Sequence, residues 1–193
     1  MRKKGLLFIL LGFIFLQACQ PKSEYQKLVD IELSKGIVYD SLFAGLSFAM
    51  TQKEFFDHCW EMNGKGVFTN GVGSQVLYDA SEDFSRPTNL GFYPKYINGQ
   101  MIEMPMEFRY QDWALWNEET KVELLIEELK IVLMDWYGGN DFIEVESADG
   151  SVSIWVKIDG NRQIRLGRKN ISTALVTITD LARKKEIESN QKS

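Results

Sequence analysis

The sequence predicts an α+β fold, an antiparallel sheet of five to seven strands with two main helices packed on it. Three observations carry this. Apolar residues alternate at period two over 100–110 and again over 152–166. An Asn98-Gly99 pair, a strong two-residue hairpin signal, separates two extended arms. Residues 119–137 instead place apolar side chains at helical spacing. Strands joined by short turns, with the helices set apart from them, point to an antiparallel rather than a parallel sheet.

The first nineteen residues stand outside that fold. Met1-Arg2-Lys3-Lys4 is basic, and Gly5 to Phe15 is an uncharged apolar run. Such a run is too short for a stable span, which needs ~20 residues, and matches a secretory signal peptide, assigned to residues 1–18. Leu16-Gln17-Ala18-Cys19 resembles the bacterial lipobox. That resemblance implies cleavage before Cys19, acylation of its sulfur and anchorage in the lipid bilayer of the cell envelope. Gln20 rather than Asp follows the cysteine, which by resemblance to known sorting rules does not signal inner-membrane retention, and the outer membrane is the expected location. Several acyl chains, at ~0.8 kcal/mol per buried CH₂, hold a protein where a single chain is marginal.

Processing fixes two further properties. Loss of Arg2, Lys3 and Lys4 leaves 19 basic against 27 acidic residues, a formal charge of −8, which disfavours nucleic acid as a partner. The 175 remaining residues suit one domain, read as residues 24–182 after a tether at 19–23, with a polar tail at 183–193. With Cys19 in lipid, Cys59 has no intrachain partner.

Residues 24–35 read as a helix through Leu28, Ile31 and Leu33, and 41–50 as a strand through Leu42, Ala44, Leu46, Phe48 and Met50. Thr51-Gln52-Lys53-Glu54 is a capping box, worth ~1 kcal/mol, that opens a helix ending at Gly64. "KEFFDHCWEMN" on that helix holds the only histidine. At ~100° per residue, Phe55, Phe56, Cys59 and Trp60 form the predicted buried arc, with Glu54, Asp57, His58 and Glu61 opposite. Adjacent His58 and Cys59 therefore diverge and make no nucleophile–base pair. Glu54, His58 and Glu61 have helical spacing for a metal, but mixed charge on a wet helix face is the commoner meaning, and no metal or other cofactor is assigned.

The glycines of "GKGVFTNGVGSQ" lack a phosphate-binding pattern and read as turns around a ragged strand, followed by a short strand at 75–78 and a loop at 79–88. Asn98-Gly99 joins an arm at 92–97 to one at 100–110, where Pro105 predicts an edge or a bulge. Val122, Leu125, Ile126, Leu129, Val132, Leu133 and Trp136 give the long helix a face worth on the order of 10–15 kcal/mol on burial. Gly138-Gly139 ends it. Val152, Ile154, Val156 and Ile158, then Ile164 and Leu166, form a hairpin. A two-residue turn would set Ile154 against Arg165, whereas a three-residue loop, Asp159-Gly160-Asn161, pairs Val156 with Ile164. Hydrophobic register favours three. Residues 172–179 complete the sheet.

Ala49-Met50-Thr51-Gln52-Lys53-Glu54-Phe55 resembles the helix start of small outer-membrane assembly lipoproteins of the SmpA/OmlA (BamE) type. A lipobox ahead of an aromatic-rich α+β domain is similar to uncharacterised lipoproteins of the Bacteroidota. Neither resemblance implies a catalytic residue. No Gly-x-Ser-x-Gly, His-Glu-x-x-His or Cys-x-x-Cys is present. The expected function is a non-enzymatic envelope module that binds or scaffolds another envelope protein or glycan. The alternatives are a glycan or peptide receptor using Tyr110, Trp113 and Trp116 of "YQDWALWNEE", and a hydrolase working with carboxylates alone.

Overall fold

A computed structural model describes residues 22–146 and 153–190. The expected signal peptide, Cys19 and Val152 lie outside them. The fold is α+β: four α-helices and a nine-stranded antiparallel sheet. Helix α1 is Glu24–Ser34 and α2 Gln52–Gly64. Strands β1 (Phe68–Asn70), β2 (Val76–Asp79), β3 (Thr88–Phe92), β4 (Lys95–Ile97) and β5 (Gln100–Tyr110) follow. Then come α3 (Val122–Tyr137), β6 (Ile143–Glu146), β7 (Ser153–Asp159), β8 (Arg162–Arg168), β9 (Ala174–Asp180) and α4 (Leu181–Asn190). The sheet order is β1-β2-β3-β5-β9-β8-β7-β6, with β4 also paired to β5. Five to seven strands and two main helices are thus an underestimate. Short β4 and β6 add to the sheet, and Glu24–Ser34 and Leu181–Asn190 add packed helices. The polar segment from 183, expected as a frayed helix or a loose tail, is helical to Asn190, with Leu181 and Ile187 buried beneath its charges.

The two faces of the sheet are built differently. Helix α3 lies across one, where Leu125, Leu129 and Leu133 pack with Met104, Met106, Phe108, Ile164, Leu166, Val176 and Ile178. On the other face α1 packs on β7, with Val29 and Leu181 against Val156 and Ile158. Two-sided burial overturns the three-residue loop. The turn is Gly160-Asn161, with Asp159 opposite Arg162, Lys157 opposite Ile164 and Val156 opposite Arg165. Val156 and Ile158 fill the second core, and Lys157 and Asp159 point to the α3 side. Lys157 is fully buried there. Its Nζ lies 2.8 Å from an Asp159 carboxylate oxygen and donates to the Asn140 carbonyl. Gly160 has φ 53°, and a Cβ on it would meet the Ile37 carbonyl oxygen at 2.3 Å, so the turn admits only glycine.

Asn98 and Gly99 both have positive φ, as a two-residue hairpin turn requires. The first arm is broken at Tyr93-Pro94 into β3 and β4, both along the same side of β5. Strand β5 is central, not an edge: Pro105 stands opposite Thr177 of β9 on one side and the interruption on the other, so its missing N–H falls where no neighbour waits. The predicted strand at 41–50 is instead a compact turn. Ala44 and Gly45 take positive φ, Leu42 N–H donates to the Leu46 carbonyl, and adjacent Leu42 and Phe43 are both buried.

Candidate functional site

The capping box on α2 forms as the sequence predicts: Thr51 Oγ1 accepts from Glu54 N–H, and the Glu54 carboxylate accepts from Thr51 N–H at 2.8 Å. The predicted buried arc is only partly right. Phe55 is fully buried, but Phe56 is half exposed and Trp60 is 82% exposed. The helix is rotated so that Phe55, Cys59 and Met62 face the core. His58 turns inward beside them, Nε2 donating to the Ala44 carbonyl at 2.8 Å and its ring meeting Phe68 edge-on. That bond holds the tight turn before the helix. Burial pushes the Cys59 thiol up to about 11, away from nucleophile chemistry. Glu54 is engaged by Thr51 and Glu61 by Lys65, and among the described residues no group of three His, Cys, Asp or Glu is placed to hold a metal ion.

The loop 111–121, between β5 and α3, is the most distinctive surface. Its backbone is tied from within. Trp113 N–H donates to the Tyr110 carbonyl, Asn117 N–H to Ala114, and Thr120 N–H to Asn117. The Asn117 side chain accepts from Glu119 N–H, and the buried Thr120 hydroxyl donates to the Asn117 carbonyl at 2.9 Å. External ties fix its position. Gln111 N–H donates to the Pro87 carbonyl, and Arg86 bridges Asp112 at 2.9 Å and Glu119. Asp112 is thus held in an ion pair with Arg86.

The three candidate aromatics separate. Tyr110 is 2% exposed and belongs to the core. Its position on β5 turns it under α3, where its hydroxyl donates to Glu128 at 2.6 Å. Burial, followed by the Glu128 carboxylate, raises its pKa. Trp113 is half-buried against the core, with the Arg109 guanidinium 5.2 Å from its ring centroid. Trp116 is 86% exposed.

Beside Trp116 lies a groove of about 570 Å³ lined by Trp113, Leu115, Leu124 and Ile171, among others. Leu115 is 73% exposed, and Leu124 and Ile171 are each about half exposed. The sequence offered Leu115, Leu124 and Ile171 only as scattered apolar residues. The topology brings the start of α3 and the β8–β9 turn to one place. The charges at the rim are already paired, Glu118 with Lys121 and Glu123 with Arg168 at 3.0 Å. The groove thus combines exposed apolar side chains with a rim of Asn117 and paired charges. Among the described residues no helix is long and apolar enough to cross a membrane. Comparison of the chain with protein families, with curated proteins and with solved structures finds no match.

Proposed function

We propose that the protein is a lipid-anchored lipoprotein of the bacterial cell envelope, held at the outer membrane, and acts as a non-enzymatic binding module. Its groove takes an apolar segment of another envelope protein. The carrying observation is the exposed apolar cluster of Leu115, Leu124 and Ile171 on a loop fixed by its own hydrogen bonds. A preorganised apolar surface loses little entropy on binding, so its burial is retained as affinity. The occupant follows from the lining. A sugar asks for several convergent polar groups around the ring it stacks on, whereas here Asn117 Oδ1 already accepts from Glu119 N–H and the rim charges are paired with one another. An apolar peptide face asks for none of these. The anchor reading stands on the Leu16–Cys19 box.

The test is a photo-crosslinking residue placed in cells at Leu115, with a second protein carrying it at exposed Trp60. A discrete adduct is expected from position 115. It is expected to disappear in the Leu124→Asp, Ile171→Asp double variant while the melting temperature holds. Equal, diffuse labelling from both positions overturns the proposal. Oligosaccharide-induced NMR shifts centred on Trp116, with none from apolar peptides, would replace it with the glycan reading.

A further inference from the structure

A second groove lies on the other face of the sheet. It has a volume of about 610 Å³, within the usual range for small-molecule sites. Helix α1 forms one wall through Tyr25, Val29 and Asp30, with Lys22 just before it, and α4 the other through Leu181, Lys184, Lys185 and Glu188. The floor is β8, with Gln163 and Arg165. Gln163 is held in place by donating from Nε2 to the Tyr25 hydroxyl at 2.6 Å.

The charges of this groove are unequal. Lys22 and Lys185 share Asp30, at 2.5 and 3.5 Å, and Lys184 binds Glu103 at 3.1 Å. Arg165 has no carboxylate, hydrogen-bond or aromatic partner among the described residues, although it projects from the middle of an ordered strand. The arginines at 86, 162, 168 and 183 are all ion-paired, and Arg109 covers Trp113. In an acidic protein an unpaired guanidinium on a groove floor is the exception. Arg165 also lines a smaller apolar hollow of about 220 Å³ on the same face, with Ile154, Gly167, Leu175 and Thr177. Ile154 packs directly over Gly167, where a Cβ would press its methyl at 3.1 Å. One free guanidinium therefore stands between a polar groove and an apolar one.

We infer that this face binds an anionic amphiphile, its phosphate or carboxylate group on Arg165 and its apolar part in the hollow formed by Ile154, Gly167 and Leu175. The planar guanidinium presents parallel donors matched to such an anion, and around it the three lysines Lys22, Lys184 and Lys185 outnumber the two lining carboxylates Asp30 and Glu188. The reading is independent of the groove at the 111–121 loop. Two sources offer the same chemistry: a phospholipid headgroup, suggested by Lys22 standing three residues after Cys19, and a free organic phosphate.

Calorimetry on the full chain tests this with four probes: decyl phosphate, dihexanoylphosphatidylglycerol below its micelle concentration, inorganic phosphate and decyltrimethylammonium. Decyl phosphate is expected to bind. Arg165→Ala is expected to weaken it about tenfold or more, with Arg165→Lys between, and with melting temperatures unchanged because the side chain is exposed. Inorganic phosphate is expected to bind far more weakly, for want of the apolar part. Comparable binding of the phosphatidylglycerol supports the lipid source, and its failure beside bound decyl phosphate supports the free one. Equal binding of the cationic amphiphile, or decyl phosphate affinity untouched by Arg165→Ala, overturns the inference.

Discussion

His58 and Cys59 show how one peptide bond separates two fates. The imidazole reaches back to the Ala44 carbonyl, and the thiol sits half-buried against the core. The Cys59 pKa, raised by burial to about 11, means that the fold favours the neutral thiol. The stabilisation associated with that preference is complete below the unfolded value near 9.0 and is lost as pH rises toward 11. Tyr96, pushed up to about 12 by its own burial, acts in the same direction. The urea midpoint is therefore expected to fall between pH 9 and pH 11, and to fall less steeply in Cys59→Ala. That variant is expected to cost about 1 kcal/mol at neutral pH through lost packing. Thiol labelling is expected to be slow in the native protein at pH 7 and fast in urea. Equally fast native labelling would show that the α2 helix leaves the sulfur open.

At the scale of elements, α1 is fastened by a buried acid. Glu32 accepts from Lys35 Nζ at 2.6 Å, Asn140 Nδ2 at 2.9 Å and the Gly160 N–H at 3.1 Å, joining the helix to the α3–β6 connection and the β7–β8 turn. Burial pushes its pKa up, but the hydrogen bonds from Lys35, Gly160 and Asn140 outweigh that and hold the carboxyl below its ordinary range. Its stabilisation is therefore present above the ordinary value near 4.5 and declines as pH falls through the lower folded one. Glu32→Ala leaves the buried Gly160 N–H without its partner and Asn140 Nδ2 with the Ile158 carbonyl alone. It is expected to cost about 2–4 kcal/mol in urea unfolding and to speed amide exchange across α1. An unchanged midpoint would remove Glu32 from this role. None of this was legible in the sequence. Leu28, Ile31 and Leu33 mark α1 as amphipathic, but Ile31 is exposed, and Val29 and Glu32 are the residues that are buried. The β7–β8 register escaped for a related reason: period-two reasoning assumes one dry face, and here both faces are covered. Helix α3 was legible because its Leu125, Leu129 and Leu133 stripe meets the largest apolar cluster of the fold, and the hairpin at Asn98-Gly99 because its turn chemistry is local. Apolar residues of the groove at 111–121 were invisible as a set, since Ile171 lies far along the chain from Leu115.

For the whole molecule, placement rests on Cys19. Mass spectrometry of the mature N-terminus is expected to find an acylated cysteine, and Cys19→Ala to leave the protein unacylated and released from its lipid. An unmodified N-terminus elsewhere would sink the anchor. If the anchor holds, copies are confined to two dimensions at high local concentration, and the open sheet then carries a consequence of its own. Its terminal strands are β1, three residues long, and β6, four residues long with Glu144 and Glu146 exposed. Short margins, one of them studded with like charge, offer a neighbouring copy too little unpaired backbone to extend the sheet from one molecule to the next. If the anchor holds, the same architecture that gives this protein a broad platform also guards a crowded membrane against edge-to-edge aggregation.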